Sequence, residues 1–376
     1  MLKRFLLLFA FLLFLYVAHA FLNPIPKRHF ERGFRPSYGV SYSFEQALWY
    51  GLDPRKSYVD LLRDFEFDWV RLPFFWDQMA PLRSQASQRQ AQQSYEFNER
   101  FDDLRFAIEE AKKRDVEVII ALGAKTPYFP EYHWPHNIAQ QVKFGEKISI
   151  DHPVADQILA IDRKVVETLA QYDNIIFWQV ENEPLIGNVN RLKIDLSLIA
   201  AEVAVVRSTD PKKRPVILNH AATGFWDNSW KELLSILKPG DVFSVNAFFK
   251  TKGKDIFNAE IFDREIHIAW PNHLVWPVHS WFPLSPNFES IKKEVEANGN
   301  SLWILEMQAE PYLNVIEQAD DPLLSYKAED IAKAEHFLRS HKIEAVGFWG
   351  AHFWQYREKK GDDGWIRTVG KIVNRD

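Results

Sequence analysis

The sequence has no cysteine. Disulfides, zinc–thiolate sites, iron–sulfur clusters and cysteine nucleophiles are therefore excluded, although a protein outside the cytoplasm can also lack cysteine. It has no strong charge of either sign, and a net charge of -5 gives no reason to expect nucleic acid or an anionic membrane surface as partner. No glycine-rich phosphate turn follows the first strand-like run, SYGVSYS (37–43), which argues against a nucleotide site on an open sheet. That run also holds no histidine, where a metal-dependent barrel hydrolase needs a histidine cluster at its strand ends. His133 and His136 are three residues apart, but Pro135 between them argues against a helical metal pair. No metal and no other cofactor is expected.

Long apolar runs are also missing, except at the start. Residues 1–24 read MLKRFLLLFAFLLFLYVAHAFLNP, with a basic opening, an apolar stretch from Phe5 to Val17, then Ala18-His19-Ala20. Small residues at both ends of that tripeptide fit cleavage after Ala20. The apolar stretch is short for a span of about 20 residues; extended to Leu22 it would serve as an uncleaved anchor. The expectation is a signal peptide or membrane anchor over 1–20, a lead-in over 21–36, and one domain over 37–376. That domain would face outside the cytoplasm, in the periplasm, in the medium or tethered to a membrane.

Aromatic residues are abundant instead: 14 Trp, 12 Tyr and 29 Phe in 376 residues. Most Phe suit a core, but many Trp stand beside Pro, His and charge, in loop-like segments. Flat aromatic faces in loops suit the axial C–H faces of sugars.

Brief runs rich in Val, Ile and aromatics recur at 37–43, 67–73, 116–123, 174–182, 215–221, 241–247, 301–307 and 344–350. Helical stretches lie between them. The segment 97–114, for one, places Phe101, Leu104, Ala107, Ile108 and Ala111 three or four apart. Ser229 with Glu232 reads as a capping box, and Pro286-Asn287 as the entry to a helix from Phe288. Eight strands alternating with helices predict an α/β fold, a single (β/α)8 TIM barrel. The segments after the strands are long, and they carry the Trp-, His- and Pro-rich sequence. In a barrel these form the face that carries sites.

Carboxylates at the ends of two of these runs then stand out. FWQVENEP (177–184) holds Glu181 and Glu183, and SLWILEMQAEP (301–311) holds Glu306 and Glu310. Carboxylates are costly inside apolar runs, and barrel strand ends converge. Two carboxyls across one cleft are what glycosidic cleavage needs: one protonates the leaving oxygen, the other attacks the anomeric carbon or activates water. A salt-bridged or surface role is the bland alternative for each glutamate alone.

These residues resemble clan A of the glycoside hydrolases, the retaining (β/α)8-barrel enzymes that include cellulases and β-glycosidases. Asn182-Glu183-Pro184 is similar to the strand-four motif of that group, and Trp303-Ile304-Leu305-Glu306 to its strand-seven motif. WVRLPFFW (69–76) resembles strand two, and Trp349 in GFWGAHFW stands where the group has a strand-eight Trp. The resemblance covers about residues 38–365. It implies Glu183 as acid/base, Glu306 as nucleophile, Arg71 against the nucleophile, Asn182 on the sugar 2-hydroxyl and Trp349 under the donor sugar. It also implies a β-linked glycan or glycoside as substrate. Glu181 is expected behind Glu183, on the same side of the strand and paired with a cation such as Lys125. One departure is clear: DVFSVNAFFK (241–250) lacks the Tyr that many members carry after strand six. Asn246, or His279 or Trp281 from the loop WPNHLVWPVHSWFPLSP (270–286), would stand in.

Further candidates rest on position alone. His220 ends the fifth strand and is placed either to meet a sugar or to pack. Trp281 and His279 fit sugar contact or a self-packed lid, and Tyr42 follows the first strand. Two other readings use the same residues: a non-catalytic carbohydrate-binding barrel, which has no need of both Glu183 and Glu306, and a transglycosylase. The sugar, the mode of attack on a chain and the oligomeric state are not readable.

Overall fold

The computed structural model describes residues 7–11, 13–14, 34–81, 96–187, 190–221, 228–251, 255–261, 264–269, 276–277, 287–313, 315–321 and 324–374. The leader expected at 1–20 lies mostly outside them. Among the described residues no helix is long and apolar enough to cross a membrane.

Eight parallel strands close into a barrel: β1 (Ser37–Ser41), β2 (Trp69–Pro73), β3 (Glu117–Leu122), β4 (Ile175–Val180), β5 (Val216–His220), β6 (Val242–Val245), β7 (Ser301–Gln308) and β8 (Ala345–Trp349). Each pairs with its sequence neighbours, and β1 pairs with both β2 and β8. All eight predicted strands are present. The surrounding helices are α1 (Pro54–Asp64), α2 (Glu99–Lys112), α3 (Ala155–Leu169), α4 (Leu196–Thr209), α5 (Trp230–Leu234), α6 (Phe288–Ala297), α7 (Ala328–Ser340) and α8 (Gly364–Val373). Asp53, Asn98, Asp195 and Asn287 cap α1, α2, α4 and α6 through side-chain acceptors.

Three details depart from the sequence reading. Ser229 precedes α5 but makes no cap bond; its Oγ lies 3.0 Å from His220 Nε2 instead. An unpredicted helix, Ala351–Lys359, follows β8 directly. The long segment after β6 contains an antiparallel hairpin, Asp255–Ile261 with Arg264–Ala269.

Two apolar layers hold the barrel. Outward residues of the strands pack on the helices. Inside, Trp69, Ile119, Ile217, Val242, Leu305 and Ala345 form a plug, with Phe177 and Trp303 against it. Trp69 fits because two strands give way to it. A Cβ on Gly39 would lie 2.0 Å from its ring, and one on Gly347 2.6 Å. This is the filled interior expected of the fold.

Above the plug the inward positions turn polar: Ser41, Arg71, Gln179, Asn219 and Glu306 are all buried. Strand alternation carries Trp69 to Arg71, Phe177 to Gln179 and Ile217 to Asn219. β7 departs from it. Ile304 pairs with Val346 and Met307 with Phe348, so β7 spends one extra residue there. Both Ile304 and Met307 pack outward, and the bulge lets Leu305 and Glu306 both face inward. Bulges re-aim side chains beside active sites in this manner.

Candidate active site

The chain leaves β4 through two left-handed residues, Glu181 (φ 57°) and Glu183 (φ 48°). Such angles are uncommon for non-glycine residues and persist only when their surroundings hold them. Here three bonds do so. Glu181 N–H donates to Leu122 O (2.9 Å), Asn182 N–H to Lys125 O (2.6 Å) and Glu183 N–H to Asn219 Oδ1 (2.9 Å). Lys125, fully buried, adds bonds from Nζ to the carbonyls of Glu183 and Ile186, each 2.9 Å.

This turn separates the two glutamates. Glu183 points into the barrel mouth, where Asn246 Nδ2 donates to its Oε1 at 2.6 Å. Glu181 turns back toward the helices. Its carboxylate accepts from the backbone N–H of Ala124 (2.8 Å) and of Lys125 (2.6 Å). Behind it stand Glu202 on α4 and Asp162 on α3, close enough to act on one another's charge. Gly123 makes room for it, since a Cβ there would stand 2.6 Å from the Glu181 carboxyl carbon. The expected shared face and ammonium partner are therefore corrected. The left-handed turn breaks the strand's alternation, and Lys125 bonds Glu181 through its amide, while its ammonium acts on that carboxyl by charge alone. That ammonium lies 3.3 Å from Glu131. Glu181, Glu202 and Asp162 form a buried acidic cluster, and burial raises all three carboxyl pKa values.

Across the mouth, Glu306 Oε1 accepts from Arg71 Nη2 at 2.7 Å. The pair is nearly closed to solvent, the side chains being 1% and 7% exposed. Arg71 is itself fixed by Ser41 Oγ (2.9 Å) and Gln179 Oε1 (3.3 Å). Burial raises the Glu306 carboxyl above its ordinary range, and the charge and hydrogen bond of Arg71 work against that rise. Glu183 has no such cation. Burial first, then the negative charges of Glu306 and Glu131, push it up to about 7, against Lys125 and the Asn246 bond. The like charges that act on Glu183 are those of Glu306 and Glu131. Two carboxyls in one site, held apart in proton affinity by their surroundings, are suited to separate acid and nucleophile roles.

Asn182 is buried, with Oδ1 accepting from Asn219 Nδ2 (2.8 Å) and Gln179 Nε2 (3.2 Å). Trp349 is half-buried, and Tyr128 stacks on it with ring centroids 4.3 Å apart and planes 28° apart. Glu310, past the end of β7, bonds to Trp349 and to the Tyr50 hydroxyl, and burial pushes it up to about 8.

One expectation changes, that for Tyr42, and one open choice narrows, that for His220. Tyr42 is buried and its hydroxyl turns away to Pro54 O (2.7 Å) and Ser57 Oγ (2.6 Å) at the start of α1, so it supports the barrel wall and not a ligand. His220 is buried with Nε2 against Ser229, a packed histidine. His279 and Trp281 lie outside the described residues. Asn219, Gln179, Glu131 and Tyr128 were missed; the signal for the first two was a lone polar residue near the end of an apolar strand. Among the described residues no group of three His, Cys, Asp or Glu is arranged to hold a metal ion.

The model of the cellulase family, glycosyl hydrolase family 5, matches residues 31–251, more than half of the chain. The chain belongs to glycosyl hydrolase family 5. A family 5 chain is a glycoside hydrolase, and its substrate is a carbohydrate. Among solved structures, the family 5 chain is similar to GH5_18 from Streptomyces cattleya, solved in complex with GlcNAc. They are 14% identical, with 84% of this chain and 70% of that one covered and a TM-score of 0.51. It also matches a β-galactosidase from the psychrophilic Marinomonas ef1 at 12% identity, covering 83% of this chain but 54% of that one, TM-score 0.49. An endo-1,4-beta-mannanase from Rhizomucor miehei matches at 11% identity, covering 87% of this chain and 89% of that one, TM-score 0.48. At such identities the likeness is one of fold. No curated protein sequence matches the chain.

Proposed function

We propose that this family 5 chain is a retaining β-glycosidase that works by double displacement, without a metal. The observation that carries the reading is the contrast between its two cleft carboxyls: Glu306 clasped by Arg71, Glu183 bonded at its carboxyl by the neutral Asn246 and pushed up to about 7. Glu306, kept ionised by Arg71, attacks the anomeric carbon and the bond to the leaving oxygen breaks. Glu183 gives that oxygen its proton, then takes one from the incoming water as the glycosyl-enzyme is released. Asn182 has its carbonyl end engaged by Asn219 and Gln179, which leaves Nδ2 to the sugar 2-hydroxyl. The basic, apolar and small-residue order of the first 20 residues supports export.

The test is a panel of aryl β-glycosides and β-linked oligosaccharides, with the first product anomer read by proton NMR and a chelator present throughout. Release of the β-anomer at an undiminished rate is the expected result. An α-anomer first would replace double displacement with inversion, and loss of turnover in chelator would point to a metal.

The profile of kcat/KM against pH should be a bell. Glu183 must hold its proton, so activity falls as pH rises through about 7. Glu306 must have lost its proton, and its raised pKa puts the acid limb above the ordinary carboxylate range. The two limbs belong to the pair as a coupled system. A rate still climbing at pH 9 would remove Glu183 as the acid.

Tyr128 bears on the donor sugar. Its ring covers the Trp349 face at 4.3 Å, a separation that leaves no space for a sugar between them. Tyr128→Ala uncovers that face. An aromatic pair is worth about 0.5–1.5 kcal/mol, so KM for a small aryl glycoside should fall by roughly 2- to 10-fold, measured by initial rates. A higher KM would instead make Tyr128 a wall of the binding site.

A further inference from the structure

We propose that Asn246 is the positioning residue that joins the two cleft carboxyls, and that its amide oxygen accepts a hydrogen bond from one hydroxyl of the bound sugar. The inference rests on the glycosidase reading and adds a substrate contact to it.

Asn246 follows β6 directly and is buried. Its backbone N–H donates to His220 O at 3.0 Å, which ties it to the end of β5. Its Nδ2 donates to Glu183 Oε1 at 2.6 Å and reaches Glu306 in a weaker contact that also favours the ionised form. The amide therefore bonds the carboxyl that follows β4 and lies close enough to act on that of β7, from the strand between β5 and β7 in the barrel. The amide offers two N–H groups and a carbonyl.

The carbonyl is the informative part. Asn246 Oδ1 is buried and has no hydrogen-bond partner among the described residues. An amide's oxygen and nitrogen share one carbon, so a nitrogen held at these carboxyls puts the oxygen beside them. A buried acceptor left without a donor is costly and calls for an account. The ionised carboxylate of Glu306 is acceptor-only and cannot supply a donor. A sugar hydroxyl can. An acceptor fixed in this way selects for a hydroxyl and against a hydrogen at that ring position, since the analogue lacking the hydroxyl leaves Oδ1 unpaired.

The same residue acts on the proton balance. Glu183 is faced by Glu306, Glu131 and Lys125 as well as by Asn246. Glu306 is faced by Arg71, Glu131 and Asn246, with Glu310 and Tyr128 near it. Among these, Asn246 is the neutral group that favours ionisation of both. Its removal should move both limbs of the pH profile to higher pH.

The experiment compares wild type, Asn246→Ala and Asn246→Asp on the best aryl β-glycoside and its monodeoxy analogues, with pH profiles and melting temperatures. For Asn246→Ala the expected result is a fall in kcat/KM of about 10- to 100-fold on the parent. Both pH limbs should shift upward, and the penalty for one deoxy position should shrink by about tenfold relative to wild type. Asn246→Asp keeps an acceptor and adds a negative charge, so it should keep that deoxy penalty while shifting both limbs further. Deoxy penalties and pH limbs unchanged in both variants, in an active wild type, would overturn the inference alone. A merely structural role would lower the melting temperature and leave both readouts in place, and it also overturns it. A wild type that cleaves no glycoside would take down the glycosidase reading together with this one.

Discussion

Glu306→Ala is expected to lose at least about 10⁴-fold in kcat/KM on every β-glycoside, because no other carboxyl is held ionised at the anomeric carbon. Glu310 is the nearest rival, but burial pushes it up to about 8 and its bonds run to Trp349 and Tyr50. Its raised pKa favours the neutral acid, which is no nucleophile. Glu183→Ala should behave differently. A nitrophenolate leaves without a proton, so the first step survives and the covalent intermediate accumulates as a burst. Steady-state turnover falls by about 10²–10⁴-fold, the usual worth of a positioned acid or base. Azide separates the roles. In Glu183→Ala it takes the glycosyl group from the enzyme and gives a β-azide. In Glu306→Ala it fills the place of the lost carboxylate and gives an α-azide. Product stereochemistry read by NMR checks both, and the same anomer from both variants would undo the assignment.

The second large effect is on stability. Arg71→Met should destabilise the protein by about 3–5 kcal/mol near neutral pH, the cost of leaving a buried charge without its partner. The arginine is 1% exposed and bonds Glu306 at 2.7 Å, so solvent cannot take its place. The sign with pH follows. Without the cation the folded Glu306 pKa climbs further, so the penalty is absent where the carboxyl is protonated in both states and grows as pH rises. Denaturant melts at pH 4.5 and pH 8 should therefore diverge for the variant far more than for wild type. Arg71→Met with Glu306→Gln should recover most of the loss while staying inactive. An equal loss at both pH values, or no recovery in the double variant, would mean that Arg71 stabilises by packing instead.

How much of this was legible from the residues depended on what each signal measures. Alternation and turn residues report burial, and every barrel strand could be located that way. The pair Glu183 and Glu306 could be found because a carboxylate at the end of an apolar run is energetically conspicuous. Direction was harder. Strand parity put Glu181 beside Glu183, and only the left-handed turn, held by Leu122, Lys125 and Asn219 from neighbouring strands and their ends, sends them to opposite sides. The extra residue in β7 that turns Glu306 inward is likewise a property of pairing with β8. Tyr42 was misjudged because its position after β1 says nothing of α1 lying within reach of its hydroxyl. Asn219 and Gln179 were passed over because a single amide in a strand is ambiguous until its partners are known.

The acidic cluster behind the site has a bearing on where this protein can work. Glu181, Glu202 and Asp162 sit on three different elements, and burial leads the causes that hold their protons. In the unfolded chain the same groups ionise near pH 4. Folding at a pH between the unfolded and the raised folded values therefore draws protons out of the surrounding solution. By linkage, the stabilisation this brings is complete below about pH 4 and is given back as pH climbs toward the raised folded values. Glu181 is also the residue that clasps the amides of Ala124 and Lys125. Ionising the cluster in an alkaline medium would set buried like charges against one another behind the turn that aims Glu183, apart from any titration of Glu183 itself. Tolerance of alkali is in this sense tied to three side chains behind the site as well as to the carboxyls within it.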